Sequence, residues 1–224
     1  MDDPACPRED LEKAFRDLAR LNRFLGAAGF VRLYLDRVLP SWQARRSPRP
    51  FTILDVGTGG GDIPALVAGW ARGRGIPARI VAVDRHPTSV GLAREVTAST
   101  GCVAIVRADA RWLPVADGGV DASLCTLTLH HLDPPEAVLL LRELDRVSRH
   151  GFLVIDLLRS GSGYWAVWAL TRLSTSALIR HDGPVSVRRS RSWEEYRDLA
   201  EAAGIPSLRV RRLPLFRVAL ECVR

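Results

Sequence analysis

The chain has 224 residues, 47% hydrophobic and 25% charged, with a formal net charge of +7. That balance is globular and excludes a disordered, collagen-like or coiled-coil protein. The length gives one domain with room for a small appendage. No apolar run approaches the roughly 18 residues a membrane helix needs, and the opening Met1-Asp2-Asp3-Pro4 is too polar for a secretory signal. The expectation is a cytoplasmic protein, monomer or homodimer, without stable membrane insertion. Cys6, Cys102, Cys125 and Cys222 are too widely spaced for a CxxC pair and read as reduced thiols. Lys13 is the only lysine, and the arginines are scattered, in pairs such as Arg45-Arg46, Arg188-Arg189 and Arg211-Arg212. Scattered arginine without a basic tail reads as composition before it reads as a nucleic-acid footprint.

Residues 8–39 have a helical period. Leu11, Phe15, Leu18, Leu21 and Leu25 share one face, Gly26 and Gly29 break the run, and a second helix is expected to stop at Leu39 before Pro40. Residues 41–50 read as a linker. Buried strands are expected over 51–56, 78–83, 103–106, 120–127 and 152–156, with helices over 62–73, 87–99 and from Asp133 towards Gly151. Asp133, Pro134 and Glu136 form a capping box with proline in the first turn. Five strands in succession, with a crossover at each step, mean a parallel sheet covered on both faces. Tyr164–Leu173 is apolar and aromatic, and a loop is expected through His181-Asp-Gly-Pro184. Ser192 and Glu195 cap a helix over 193–203, and 208–213 and 216–223 form a hairpin.

The chemistry concentrates after the first strand. Leu54-Asp-Val-Gly57-Thr-Gly59-Gly60-Gly61-Asp62 places an acid and then a glycine turn. Glycine is needed where backbone turns tightly or touches a ligand. A GxGxxG fingerprint from Gly57 would need glycine where Asp62 stands, and a P-loop would need a lysine that is not there. Asp84 ends the second strand, where a carboxylate can accept from ribose hydroxyls. Asp109, followed by Ala110, ends the third. Acids at the carboxyl ends of successive strands stand where open α/β sheets bind ligands.

This ordered set resembles the class I S-adenosylmethionine-dependent methyltransferases over about residues 50–160. The resemblance implies a Rossmann-like, doubly wound α/β fold: a mostly parallel seven-stranded sheet with an antiparallel last strand, plus N-terminal helices and a helical insert. It implies a helical cap over 1–45, the methyltransferase domain over 46–224 and an insert at 160–190 lining the acceptor site. Asp55, Gly57, Gly59 and Gly61 match the motif that contacts the methionine part. Asp84 matches the ribose acid, and Asp109 and Ala110 match the adenine motif. Arg85 and Thr126 complete the implied cofactor contacts. Thr126-Leu-Thr-Leu-His-His-Leu-Asp133 resembles the segment after strand four in the ubiquinone/menaquinone-type small-molecule enzymes. Asp133-Pro134-Pro135 is also like the start of an amino-methylating nucleic-acid motif, but Glu136 stands where that motif has an aromatic ring, so it reads as a helix start.

Transfer to an oxygen needs alignment and a base. His130 and His131, just past strand four, and His181 in the insert are the candidate bases. Arg180 and Asp182 are candidate acceptor contacts. Tyr164 and Trp168 share one helical face, and lid, core packing and shallow membrane contact with Arg159 and Arg172 all remain open for it. Asn22 and Arg23 are placed to reach over the cofactor. His86 reads as a turn residue and His150 as a helix C-terminal charge. No clustered His/Asp set suggests a metal. The expected function is methyl transfer from S-adenosylmethionine to a phenol, quinol or polyketide-like small molecule, oxygen ahead of carbon. The rivals are an RNA or protein methyltransferase and a non-catalytic S-adenosylmethionine-binding protein; no nucleic-acid partner is expected.

Overall fold

A computed structural model describes residues 6–24, 26–45 and 48–224. Leu25, Arg46 and the side chains of Leu21 and Arg23 lie outside the described residues. Two helices open the chain, α1 (Arg8–Phe24) and α2 (Ala27–Ala44). They part at Gly26, whose φ of 82° favours glycine; Gly29 lies inside α2 and breaks nothing. α2 also runs through Pro40 instead of stopping at Leu39. Proline inside a helix is costly, but Trp42, in the extra turn, packs on Phe51 at 5.4 Å between ring centroids and holds the continuation in place.

The remaining elements follow in order: β1 (Phe51–Val56), α3 (Asp62–Gly73), β2 (Ala78–Asp84), α4 (Pro87–Thr97), β3 (Val103–Arg107), β4 (Ala122–Thr126), α5 (Pro134–Val147), β5 (Gly151–Leu157), α6 (Gly161–Thr171), α7 (Ala177–Arg189), α8 (Trp193–Ala203), β6 (Arg209–Leu213) and β7 (Arg217–Val223). The sheet order is β3-β2-β1-β4-β5-β7-β6. All neighbours are parallel except where β7 runs antiparallel to both β5 and β6. The expected crossover between β3 and β4 contains no helix; the chain returns through an irregular segment fastened by Arg146, which donates to the carbonyls of Leu113 and Val115. Strand order reverses between β1 and β4, so the carboxyl ends of these strands open the crevice where such sheets take ligands.

Alternation along β1 builds two cores. Leu54 and Val56 face α5 and α8 with Leu140, Leu144 and Tyr196, while Phe51 and Ile53 face α2 and α3 with Val38, Val67 and Trp70. Both capping boxes form: Asp133 with Glu136, and Ser192 with Glu195.

The expected loop through His181–Pro184 is helix α7. Ser176 caps it, and Ile179, Pro184 and Val187 are buried, so packing overrides a Gly-Pro pair that signals a turn. His150 follows α5 instead of ending it and is buried; burial, then Arg45 and Arg149, hold its pKa down, so its charge is disfavoured.

Within α5, Asp133→Ala is expected to cost about 1 kcal/mol through the lost cap. Leu140→Ala, emptying a fully buried site, should cost about 2–5 kcal/mol. Urea unfolding of the two variants checks the order.

Candidate active site

The cleft lies over β1, β2 and β4 at their carboxyl ends. The glycine turn is fastened from below: the N–H groups of Gly57 and Thr58 both donate to the Val83 carbonyl, at 2.9 and 3.0 Å. Asp84 fastens it from the side, accepting from Gly59 N–H at 2.9 Å and from His86 N–H at 2.8 Å. Gly57 has φ 74°, and a methyl group there would sit 2.2 Å from Thr128 Oγ1. Glycine is therefore required both for conformation and for the approach of the β4 tail. That tail is itself strained, since Leu127 lines the cleft with φ 55°, uncommon for a bulky residue.

Asp55, Asp62, Asp84 and Asp109 all line the cleft. Asp109 is held by Arg111, which donates through Nε at 2.9 Å and Nη2 at 2.6 Å, and this pairing keeps its pKa below the usual carboxylate range. Asp55 is in the opposite condition. It is buried, its Oδ2 has no hydrogen-bond partner, and burial, followed by repulsion from Asp62 and Asp84, pushes its pKa up to about 7. Asp62 is raised in the same direction, again chiefly by burial. Helix α1 closes the opposite wall with Phe15, Leu18 and Asn22. Phe15 lies so close that a methyl group on Gly60 would be 2.6 Å from its Cβ.

A family model described as a methyltransferase domain matches residues 54–155. The fold is that of S-adenosylmethionine-dependent methyltransferases. An enzyme of that kind from Aquifex aeolicus superposes with a TM-score of 0.55 at 22% identity, covering 84% of this chain and 90% of its own. A Methanococcus maripaludis protein assigned to the same class gives 0.60 at 17% identity, covering 95% and 93%. The CMeT domain of the citrinin polyketide synthase gives 0.59 at 13% identity, covering 80% and 48%. No curated protein matches the chain.

Of the residues singled out in the sequence, the cleft gathers Asp55, Gly57, Gly59, Asp84, Arg85, Asp109, Ala110, Thr126 and His131. Gly61 stands behind it, where a methyl group would meet the Ala93 backbone of α4 at 3.0 Å. His130 is buried beside the cleft, its ring 4.2 Å from that of His131. Nδ1 of His130 lies 2.6 Å from Asp156 Oδ1, and its backbone N–H donates to Oδ2 at 2.7 Å. Burial alone would raise the Asp156 pKa; the His130 ring and the Leu157 N–H hold it below the ordinary value instead.

The insert residues stand apart from the cleft lining. His181 has 78% of its side chain exposed and pairs with Asp182 at 2.9 Å. Arg180 donates to the Ser174 carbonyl. Tyr164 and Trp168 lie under Arg188 and Arg172, with guanidinium-to-ring distances of 4.7 and 4.6 Å. Among the described residues no group of three or more His, Cys, Asp or Glu is placed to hold a metal, and no helix is long and apolar enough to cross a membrane.

Asp62, Arg111 and Asp156 belong to this neighbourhood without a role assigned from sequence, and His86, read as a turn residue, lines the cleft. Asp156 had a legible signal: it is an acid near the end of a fifth buried strand, like Asp55 and Asp84 before it.

The cleft fits a cationic ligand, because a positive charge there would offset the burial and the carboxylate repulsion that raise Asp55. Between the ordinary carboxylate value of 3.8 and about 7, folded Asp55 keeps a proton that the unfolded chain has lost, so stability of the ligand-free protein falls across that window. A bound cation reverses the shift and releases the proton. S-adenosylmethionine affinity is therefore expected to rise from about pH 5 to about pH 8. Calorimetry should show Asp55→Asn flattening that rise; an unchanged slope would remove Asp55 as its source.

Proposed function

We propose that this methyltransferase transfers a methyl group from S-adenosylmethionine to an oxygen of a small molecule, a phenol, quinol or polyketide-like compound. The observation that carries this reading is the buried His130–Asp156 pair, whose imidazole lies 4.2 Å from the ring of His131 in the cleft lining. Ionised Asp156 only accepts hydrogen bonds, so His130 Nδ1 carries a proton, and in the neutral ring Nε2 has the lone pair a base needs. Nε2 is buried and has no partner. A hydroxyl on the acceptor supplies one.

The cofactor, when bound, supplies an electrophilic methyl group on a sulfonium. The chain's own residues do the rest. Asp55 and Asp62 would face the positive methionine end, Asp84 would accept from the ribose hydroxyls, and Asp109 with Ala110 would border the adenine. Arg85 and Thr126 flank these contacts. Phe15 and Leu18 exclude water above the glycine turn. His130 Nε2 would take the acceptor's hydroxyl proton as the methyl group is transferred. His131 shapes the same wall. Helix α7 packs against α1 and the Leu129–His131 turn, and this supports reading the 160–190 insert, with His181, Arg180, Asp182, Tyr164 and Trp168, as the border of the acceptor entrance. The resemblance of Thr126–Asp133 to the ubiquinone/menaquinone-type enzymes supports a small acceptor. One structural neighbour comes from a polyketide synthase, so polyketide-like phenols head the panel of acceptors to try.

Labelled methyl from S-adenosylmethionine, added with the protein to lysate of the producing organism, is expected in the organic extract. Label in RNA or protein would overturn the small-molecule reading, and tight cofactor binding with no label in any fraction would favour a non-catalytic binding protein. With an acceptor in hand, His130→Gln should lower kcat by about 10²–10⁴-fold while S-adenosylmethionine affinity stays within about twofold. His181→Ala should cost far less. An unchanged kcat in His130→Gln would remove the proposed base.

A further inference from the structure

Arg217 opens β7, opposite Leu157 at the end of β5, so it stands at the same edge of the sheet as the cleft. It is flanked by Phe216 and Val218–Leu220, all apolar, and its side chain is among the largest fully buried ones. Exposure is 2%. Nη2 donates to Asn22 Oδ1 at 3.4 Å; Nε and Nη1 are buried with no partner at all. Among the described residues no carboxylate lies within ion-pair distance of it. Asp156 is near enough to be felt, but its oxygens already serve His130 and Leu157. Burial pulls the guanidinium pKa down to about 10, with Asp156 opposing. Unpaired buried charge is costly and is not kept for stability.

Two links tie Arg217 to the reacting centre. Asn22 lines the cleft and bridges it: Oδ1 accepts from Arg217, while Nδ2 donates to Asp62 Oδ2 at 3.2 Å. Asp156, which holds His130, stands opposite Val218, the residue next to Arg217, in the β5–β7 pairing. The turn before Arg217 is strained as well, with Leu215 and Phe216 at φ 59° and 56°. The Phe216 carbonyl accepts from Leu158 N–H at 2.8 Å, which locks the start of β7 against the end of β5.

We propose that Arg217, steadied by Asn22, is the carboxylate-binding subsite of the acceptor pocket, so that the acceptor is a hydroxy acid whose carboxylate accepts from Nε and Nη1 while its hydroxyl meets His130 Nε2. This rests on the small-molecule reading of the cleft. Arginine suits the task because it stays charged when buried and binds carboxylates through several N–H groups. Arg217 is here a binding residue that fixes the acceptor's orientation, and the proton is handled by His130.

The test uses the full chain loaded with S-adenosylhomocysteine and the probes benzoate, 2-hydroxybenzoate and 4-hydroxybenzoate, each paired with its amide. Thermal unfolding and calorimetry should show the acids binding and the amides at least tenfold weaker. Arg217→Met, close in volume, should lose at least tenfold in acid affinity while S-adenosylhomocysteine affinity stays within about twofold. Arg217→Lys should retain part of the acid preference, and it carries the comparison should Arg217→Met fail to fold. Equal binding of acids and amides by the wild type, or full acid binding by Arg217→Met, would overturn the proposal and leave Arg217 a structural residue only. Methyl label in a neutral organic product would also overturn it while sparing the small-molecule reading; label in RNA or protein would remove that reading whatever the acids do.

Discussion

Burying negative charge at one edge of a sheet is the constraint from which this site follows. Asp55, Asp84 and Asp156 all stand at or near strand carboxyl ends, where water is scarce and a carboxylate must find donors or take up a proton. Each meets the demand differently. Asp84 takes two backbone N–H groups and so ties the glycine turn to the head of α4. Asp156 takes two backbone N–H groups and an imidazole, and so ties the β4 tail to β5. Asp55 leaves an oxygen unpaired and titrates far above its ordinary range. The first two build the walls of the cleft. The third leaves inside it a demand for positive charge, and a sulfonium compound with an ammonium group meets that demand.

The same bookkeeping aims the histidine. A free imidazole on a three-residue turn would sample several rotamers and both tautomers. Two contacts from one carboxylate, to the His130 ring and to its backbone, fix ring, tautomer and turn together. The strained Leu127 belongs to this arrangement, because its backbone N–H donates to the Ile155 carbonyl next to Asp156. The geometry of the β4 tail is thus decided on β5, nearly 30 residues later in the chain.

That distance explains what the sequence made legible. Helices 62–73 and 193–203 were readable to the residue, because glycine and a capping box mark them locally. The glycine turn and the strand-end acids were readable because their chemistry is written in adjacent residues. Helix α7 was not, since Asp182-Gly-Pro184 carries every local sign of a turn and only the burial of Ile179, Pro184 and Val187 outweighs it. The His130–Asp156 pair spans 26 residues and the Asn22–Arg217 contact 195, and no spacing announces either. Arg217 also hides in plain view: a single arginine in a strand reads as an outward-facing residue unless both faces are covered.

The basic composition looks different once the arginines are placed. Arg8, Arg74, Arg146, Arg159 and Arg224 are each ion-paired to an aspartate or glutamate at the surface. Such pairs add about 0–1 kcal/mol each to stability, and their charge is locally neutralised instead of being gathered into a stripe. The cleft itself is lined by four aspartates, with Arg111 engaged by Asp109 and Glu136. A nucleic-acid backbone entering there would bring phosphates towards carboxylates, and α1 with Phe15 and Leu18 narrows the way in. A small molecule bearing one carboxylate meets neither obstacle, because the positive charge it needs is buried behind Asn22. The surface arginines set the protein's net charge; Arg217, buried without a carboxylate partner among the described residues, carries the information about its substrate.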